Sequence, residues 1–216
     1  MAVAKYHVLA GFVTYAIFAV AHFVYFSLID RPLGLLALLS DYGWVPPSLF
    51  LGLFGSTLPD YDLLYKYLSP WQHRSAVTHS ALIPTLAFLV CLWPSIVSDY
   101  SLLLVSFMLG FASHLILDIF PNTDIEELLK KEKFQEAYVS ILKSAEIGVT
   151  PEEFLRPEAR KRLVGTYNIR FPKRAITKEK ARKTLSPNQT RTWLIINGSI
   201  ALIYAITLFI LSAVKL

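Results

Sequence analysis

His114 and Asp118 stand four residues apart in the run SHLILD (Ser113 to Asp118), a spacing that puts an imidazole and a carboxylate on one helical face with β-carbons about 5 to 6 Å apart. Such a pair can hold one divalent cation, the histidine through nitrogen and the aspartate through oxygen. Alone it would equally suit a hydrogen-bonded pin between helices. It is not alone. GSTLPDYD (Gly55 to Asp62) sets Asp60 and Asp62 in extended alternation just behind the helix breaker Pro59, HRSAVTHS (His73 to Ser80) carries His73, Arg74 and His79, and His7 lies near the N-terminus. His7, Asp60, His79, His114 and Asp118 are the metal-ligand candidates. Asp62, His73 and Arg74 are the catalytic candidates. Acids just after a helix meet the negative end of its dipole, so a compensating cation is expected beside Asp60 and Asp62, from Arg74, Lys66 or a bound ion.

The elements that must bring these residues together are hydrophobic. In a chain of 216 residues, 54% are hydrophobic and 17% charged, with a mean hydropathy of +0.47, which excludes an ordinary soluble domain and predicts an integral membrane protein. Apolar runs long enough to span, about 20 residues as a helix, extend from Val8 to Ile29, Ala81 to Val97, Leu102 to Phe120 and Trp193 to Val214. A less regular one, Leu33 to Leu58, is interrupted by Asp41, Gly43, Pro46 and Pro47, so a short or re-entrant element is an alternative there. The expected fold is all-α, a polytopic bundle of four to five spans, with Ser95 to Ser101 as an outer hairpin loop and Thr78 as the N-cap that lets His79 project from the first turn of the third span. The first span is too long for a signal-peptide core and is read as retained. Cys91 lies inside a span as an apolar filler, and His22, about four turns from His7, is read as an interhelical hydrogen-bonding residue.

Composition changes at Asn122. The residues from there to Thr192 form a charged cytosolic insert between a membrane-embedded core (1–121) and a last spanning helix (193–216). Thr123 with Glu126 is a capping-box pattern, Gly148 a stop, and Thr150 with Pro151 a restart, so the insert is expected to be helical. Its basic stretch from Arg156 to Lys183 reads as a solvated or headgroup-facing surface. With the N-terminus cytoplasmic and five spans, nineteen of the 21 Lys and Arg fall inside, which explains the net charge of +5 without nucleic acid. In that arrangement all five ligand candidates lie at the cytoplasmic boundary.

In these motifs the chain resembles the YdjM-type inner-membrane proteins, a family of LexA-regulated, metal-dependent hydrolases. The likeness runs from His7 in KYHVLAGF through GSTLPDYD and HRSAVTHS to GFASHLILD, as far as about Pro121. It implies a multi-span membrane hydrolase whose polar positions are His7, Asp60, Asp62, His73, Arg74, His79, His114 and Asp118. A more distant likeness to the zinc-dependent phospholipase C and P1-type nuclease group suggests phosphoester chemistry. No histidine follows His114, so the later ligands of that group's three-metal cluster are missing.

These features lead to the expectation of a hydrolase holding one or two divalent metals, zinc for a His-rich set, with manganese or iron also compatible. Asp62 would orient a water or take its proton, Arg74 would stabilise charge on phosphate, and His73 is open between ligand, acid or base, and solvated residue. Membrane lipids are the surroundings, and an amphiphilic phosphoester arriving by lateral diffusion is the expected substrate. The alternatives are a divalent metal-ion transporter, disfavoured because transport sites usually lie near the bilayer midplane, and a non-catalytic membrane scaffold.

Overall fold

The computed structural model describes residues 4–29, 44–61, 74–91, 94–119, 132–133, 135–136, 168–169, 171 and 185–214. Among these, all regular structure is helical: α1 (Ala4–Ile29), α2 (Val45–Thr57), α3 (Leu82–Cys91), α4 (Pro94–Leu117) and α5 (Pro187–Val214). The expected helical insert falls mostly outside the described residues, as do Asp62 and His73.

α4 is the hub. It packs against each of the other four helices, while α1 also meets α2 and α5 meets α3. Ser106, Phe107, Met108, Gly110, Phe111, Ala112, His114 and Leu115 of α4 are all buried, which covers most of its circumference, while Ile116 is exposed. Two departures from the expected spans follow local chemistry. The predicted loop Ser95 to Ser101 is helical, because Pro94, which lacks an N–H and has a suitable φ, opens α4 there. α3 is correspondingly short, its ten residues rising about 15 Å. α2 has prolines in its first turn and ends at Thr57, where the chain tightens into a 3₁₀ turn with Leu58 still in helical dihedrals before Pro59. Its thirteen residues rise about 20 Å.

α1 shows what solvent this fold is made for. Its buried stripe is His7, Gly11, Tyr15, Phe18 and His22, spaced by three or four residues, whereas Leu9, Phe12, Val13, Ile17, Val20 and Val24 lie exposed. Polar groups point inward and apolar ones outward, the reverse of a water-soluble helix and the arrangement that hydrocarbon favours. The same holds for α5, whose Ile195, Ile196, Ile203, Ile206 and Ile210 are exposed. Tyr6–Tyr25 and Asn188–Ser212 are the two stretches, among the described residues, long and apolar enough to cross a membrane.

Glycine sets the α2–α4 distance. A β-carbon on Gly55 would strike the Phe107 carbonyl, and one on Gly110 would strike the Gly52 carbonyl and approach the Ser56 nitrogen at 3.0 Å. Small residues that let two helix backbones touch are the usual means of helix association in lipid. At the other end of α2, Tyr15 of α1 donates to the Val45 carbonyl at 2.8 Å and pairs with Ser48 Oγ at 3.0 Å, fixing α1 against the start of α2.

Candidate metal centre

The start of α1, the end of α2, the turn before α3 and the end of α4 converge at one end of the bundle. His7 is on the buried stripe of α1. Asp60 follows α2 in a 3₁₀ turn, 58–61, which replaces the extended alternation expected behind Pro59: Leu58 keeps helical dihedrals, and its N–H still donates to the Phe54 carbonyl. His114 is one turn beyond Gly110, so the close α2–α4 contact carries it straight to Ser56. Asp118 follows α4, its N–H donating to the His114 carbonyl at 3.0 Å.

His79 lies in a run of turns before α3, not in its first helical turn as the Thr78 N-cap predicted. The Thr78 hydroxyl has other partners, the Ser75 carbonyl at 3.2 Å and the His79 Nδ1 at 3.0 Å. Capping falls to Ser80, whose Oγ accepts from the Leu82 N–H at 3.3 Å, and to Asn197 of α5, whose Oδ1 accepts from the Ala81 N–H at 2.7 Å.

The side chains meet closely. His7 Nε2 is 3.5 Å from Asp118 Oδ1 and 4.0 Å from Asp60 Oδ2. His114 Nε2 is 3.5 Å from Asp118 Oδ2 and 3.7 Å from Asp60 Oδ1, and His79 Nε2 is 3.3 Å from Asp118 Oδ2. The His7 and His114 rings stack with centroids 3.8 Å apart. Arg74 joins them through Nη2, 2.9 Å from Asp118 Oδ1. All but Asp60, which is 12% exposed, have fully buried side chains.

Two hydrogen bonds determine which histidine nitrogens face the cluster. A carbonyl only accepts, so the 2.6 Å contact between His114 Nδ1 and the Ser56 carbonyl places the ring proton on Nδ1. With the Thr78 hydroxyl proton directed to Ser75, His79 Nδ1 donates to Thr78 Oγ1 in turn. When these rings are neutral, their Nε2 atoms present lone pairs to the carboxylates of Asp60 and Asp118.

Lone pairs facing carboxylates repel unless a cation lies between them. Imidazolium–carboxylate bonds are usually about 2.7 to 2.9 Å long, and every His–Asp distance here is longer. Donors about 2.1 Å from one ion stand about 3.4 Å apart around a tetrahedron. The observed separations, 3.3 to 4.0 Å, match ligands sharing a cation. Within each of two triples, His7, His114, Asp118 and Asp60, His79, His114, the ligand atoms lie within 4.8 Å of one another. His7 Nε2 and His114 Nε2 are buried without a hydrogen bond, and Asp118 Oδ1 is held by Arg74. The donor set therefore fits a divalent metal.

Arg74 supplies fixed positive charge. It adopts a left-handed backbone, φ 59°, at a cost of about 1 kcal/mol for a residue with a side chain, and the buried pair with Asp118 accounts for retaining one there. The Arg74 guanidinium, 2.9 Å from Asp118 Oδ1, favours the ionised carboxylate.

Six sequence-predicted residues are thus brought together: His7, Asp60, Arg74, His79, His114 and Asp118. His22 sits elsewhere, its ring edge-on to Trp44 at 4.7 Å and against Phe209 at 6.1 Å. Sequence reading missed the Ser56 carbonyl and Trp193, whose indole N–H donates to the His79 carbonyl at 2.7 Å. A backbone acceptor leaves no trace in residue type, and Trp193 reads as one more apolar residue of the last span. The basic stretch of the insert also differs from a wholly solvated surface, since Asn168 and Ile169 are buried against the bundle.

The YdjM inner membrane protein family model matches residues 3–130, more than half of the chain and every residue of this cluster. The chain belongs to that family. It is accordingly a membrane protein, in agreement with its outward-facing apolar helices. No curated protein and no solved structure matches it.

Proposed function

We propose that this YdjM-family protein is a membrane-embedded, metal-dependent hydrolase acting on a phosphoester of a lipid or other amphiphile. The observation that carries the proposal is the buried convergence of three imidazole Nε2 atoms on two carboxylates at ligand-to-ligand spacing, with the His114 proton held on Nδ1 by Ser56. His7, Asp60, His79, His114 and Asp118 would hold one or two divalent ions, zinc by donor type, with manganese or iron compatible. Such an ion supplies Lewis acidity and lowers the pKa of its water toward about 7.

The chain's own groups divide the remaining work. Asp118, ionised and clamped by Arg74, keeps the ligand set charged while the stacked His7 and His114 rings exclude bulk water from the buried side. Asp60 is partly exposed and is followed by the exposed Tyr61, so substrate approach is assigned to this edge. Arg74 adds positive charge next to the ligand set, where a phosphate group would be attracted. Asp62 is assigned the proton-accepting role and His73 a proton-donating one toward the leaving group, both by sequence position.

We further propose a multi-pass arrangement with the N-terminus and the charged insert cytoplasmic, supported by the bias of Lys and Arg. The cluster then lies at the cytoplasmic headgroup layer. The test is elemental analysis and turnover in mild detergent. Protein purified with one or two equivalents of metal should cleave lipid or nucleotide phosphoesters without a sealed compartment, and a folded His114→Ala, Asp118→Ala variant should lose both metal and turnover. Metal binding without hydrolysis of any phosphoester, but with ion flux in vesicles, would replace the enzyme by a transporter.

A further inference from the structure

His79 differs from the other histidine ligands in what holds it. His7 and His114 ride on long helices, whereas His79 lies in turns at 76–79, so its backbone lacks the continuous ladder that would fix its ring. One anchor is local, its N–H donating to the Ser75 carbonyl at 3.0 Å. Two more come from α5. Trp193 Nε1–H donates to the His79 carbonyl at 2.7 Å, and Asn197 Oδ1 accepts the N–H of Ala81 at 2.7 Å. Asn197 Nδ2 in turn donates to the Trp193 carbonyl at 2.7 Å, so the two side chains are one turn apart on a single brace.

The brace is itself held by the insert. Phe171 meets the Trp193 indole edge-on, centroids 5.4 Å apart at 83°. The adjoining Ile169 is fully buried, its N–H donating to Thr190 Oγ1 at 3.1 Å and its carbonyl accepting from the Leu185 N–H at 3.0 Å. Ile169 and Phe171 are thereby fastened to the first turns of α5, directly behind Trp193.

We infer that Trp193 is a positioning residue for the metal ligand His79, with Asn197 as its partner and Phe171 as its backing, so that the last helix and the insert complete a centre whose ligands all lie within residues 3–130. This rests on the metal-site reading above. Groups that orient ligands typically change metal affinity by about ten- to a hundredfold when removed.

The experiment uses the full chain in detergent, with Zn²⁺ affinity from chelator competition and the visible spectrum of the Co²⁺-loaded protein as readouts. Trp193→Phe, which keeps an aromatic ring but loses the N–H, should bind Zn²⁺ about tenfold more weakly and shift the Co²⁺ bands while the helical signal is unchanged. If Trp193→Phe does not fold, Asn197→Ala carries the same two expectations. Wild-type Zn²⁺ affinity and an unaltered Co²⁺ spectrum in a folded variant would overturn the inference, even with lowered thermal stability, because a merely structural tryptophan changes only stability. A wild-type protein that takes up neither ion would instead overturn the metal reading, and the inference with it.

Discussion

Replacing Asp118 by asparagine isolates charge from shape. The side chains have nearly the same volume, so no cavity forms, but the variant removes the carboxylate charge 2.9 Å from the buried Arg74 Nη2. Breaking a buried pair in this way costs about 3–5 kcal/mol. For a protein of this length each kcal/mol lowers the thermal midpoint by about 2–4 °C, so Asp118→Asn should unfold about 6–20 °C below wild type in metal-free detergent solution. Adding Arg74→Met removes the other half of the pair and should recover most of that loss, since an apolar replacement of a whole buried pair is close to neutral. The double-mutant cycle should therefore show a coupling of at least about 2 kcal/mol. In metal-loaded protein, Asp118→Asn should also bind zinc more weakly by over about a hundredfold, because a ligand contributes more than the groups that orient it. Unchanged midpoint and zinc content in Asp118→Asn would refute both roles assigned to this carboxylate, counter-ion and ligand.

Other consequences are as direct. Gly110→Ala should destabilise the protein by about 1–3 kcal/mol, read as a lowered thermal midpoint, because the added methyl drives the Gly52 and Ser56 backbones away from α4; an unaffected midpoint would contradict the close contact. A chelator should lower the midpoint of metal-loaded protein and added zinc should restore it, by about 2.7 kcal/mol at a free metal concentration a hundred times the dissociation constant; an unresponsive midpoint would count against a resident ion. On acidification, bound metal should be lost as protons compete for the ligand atoms, and a metal content that does not fall with pH would be inconsistent with these assignments.

Much of the centre was legible in residue types. His-x-x-x-Asp at helical spacing and the placement of His7, Asp60 and His79 at the ends of apolar runs were enough to draw them to one end of a helical bundle, because adjacent antiparallel helices leave little freedom over which ends meet. The outward apolar face of α1 was equally legible, since its composition leaves few polar groups to turn toward water. Helix boundaries were less so. Ser95 to Ser101 contains polar residues that suit a loop, yet α4 continues through them from Pro94, and the short α3 follows from that start.

Residue chemistry by itself determined that this is a membrane protein whose described elements are helices, and which histidines and aspartates are chemically suited to a metal. Only the tertiary structure decided how they are held: that Arg74 turns inward to Asp118, that Ser56 sets the His114 proton, and that Trp193 grips the His79 carbonyl from a helix 114 positions away. Those contacts depend on backbone carbonyls and on interhelical distances set by Gly55 and Gly110. A carbonyl is common to every residue, so its role emerges only when packing brings a particular donor to it.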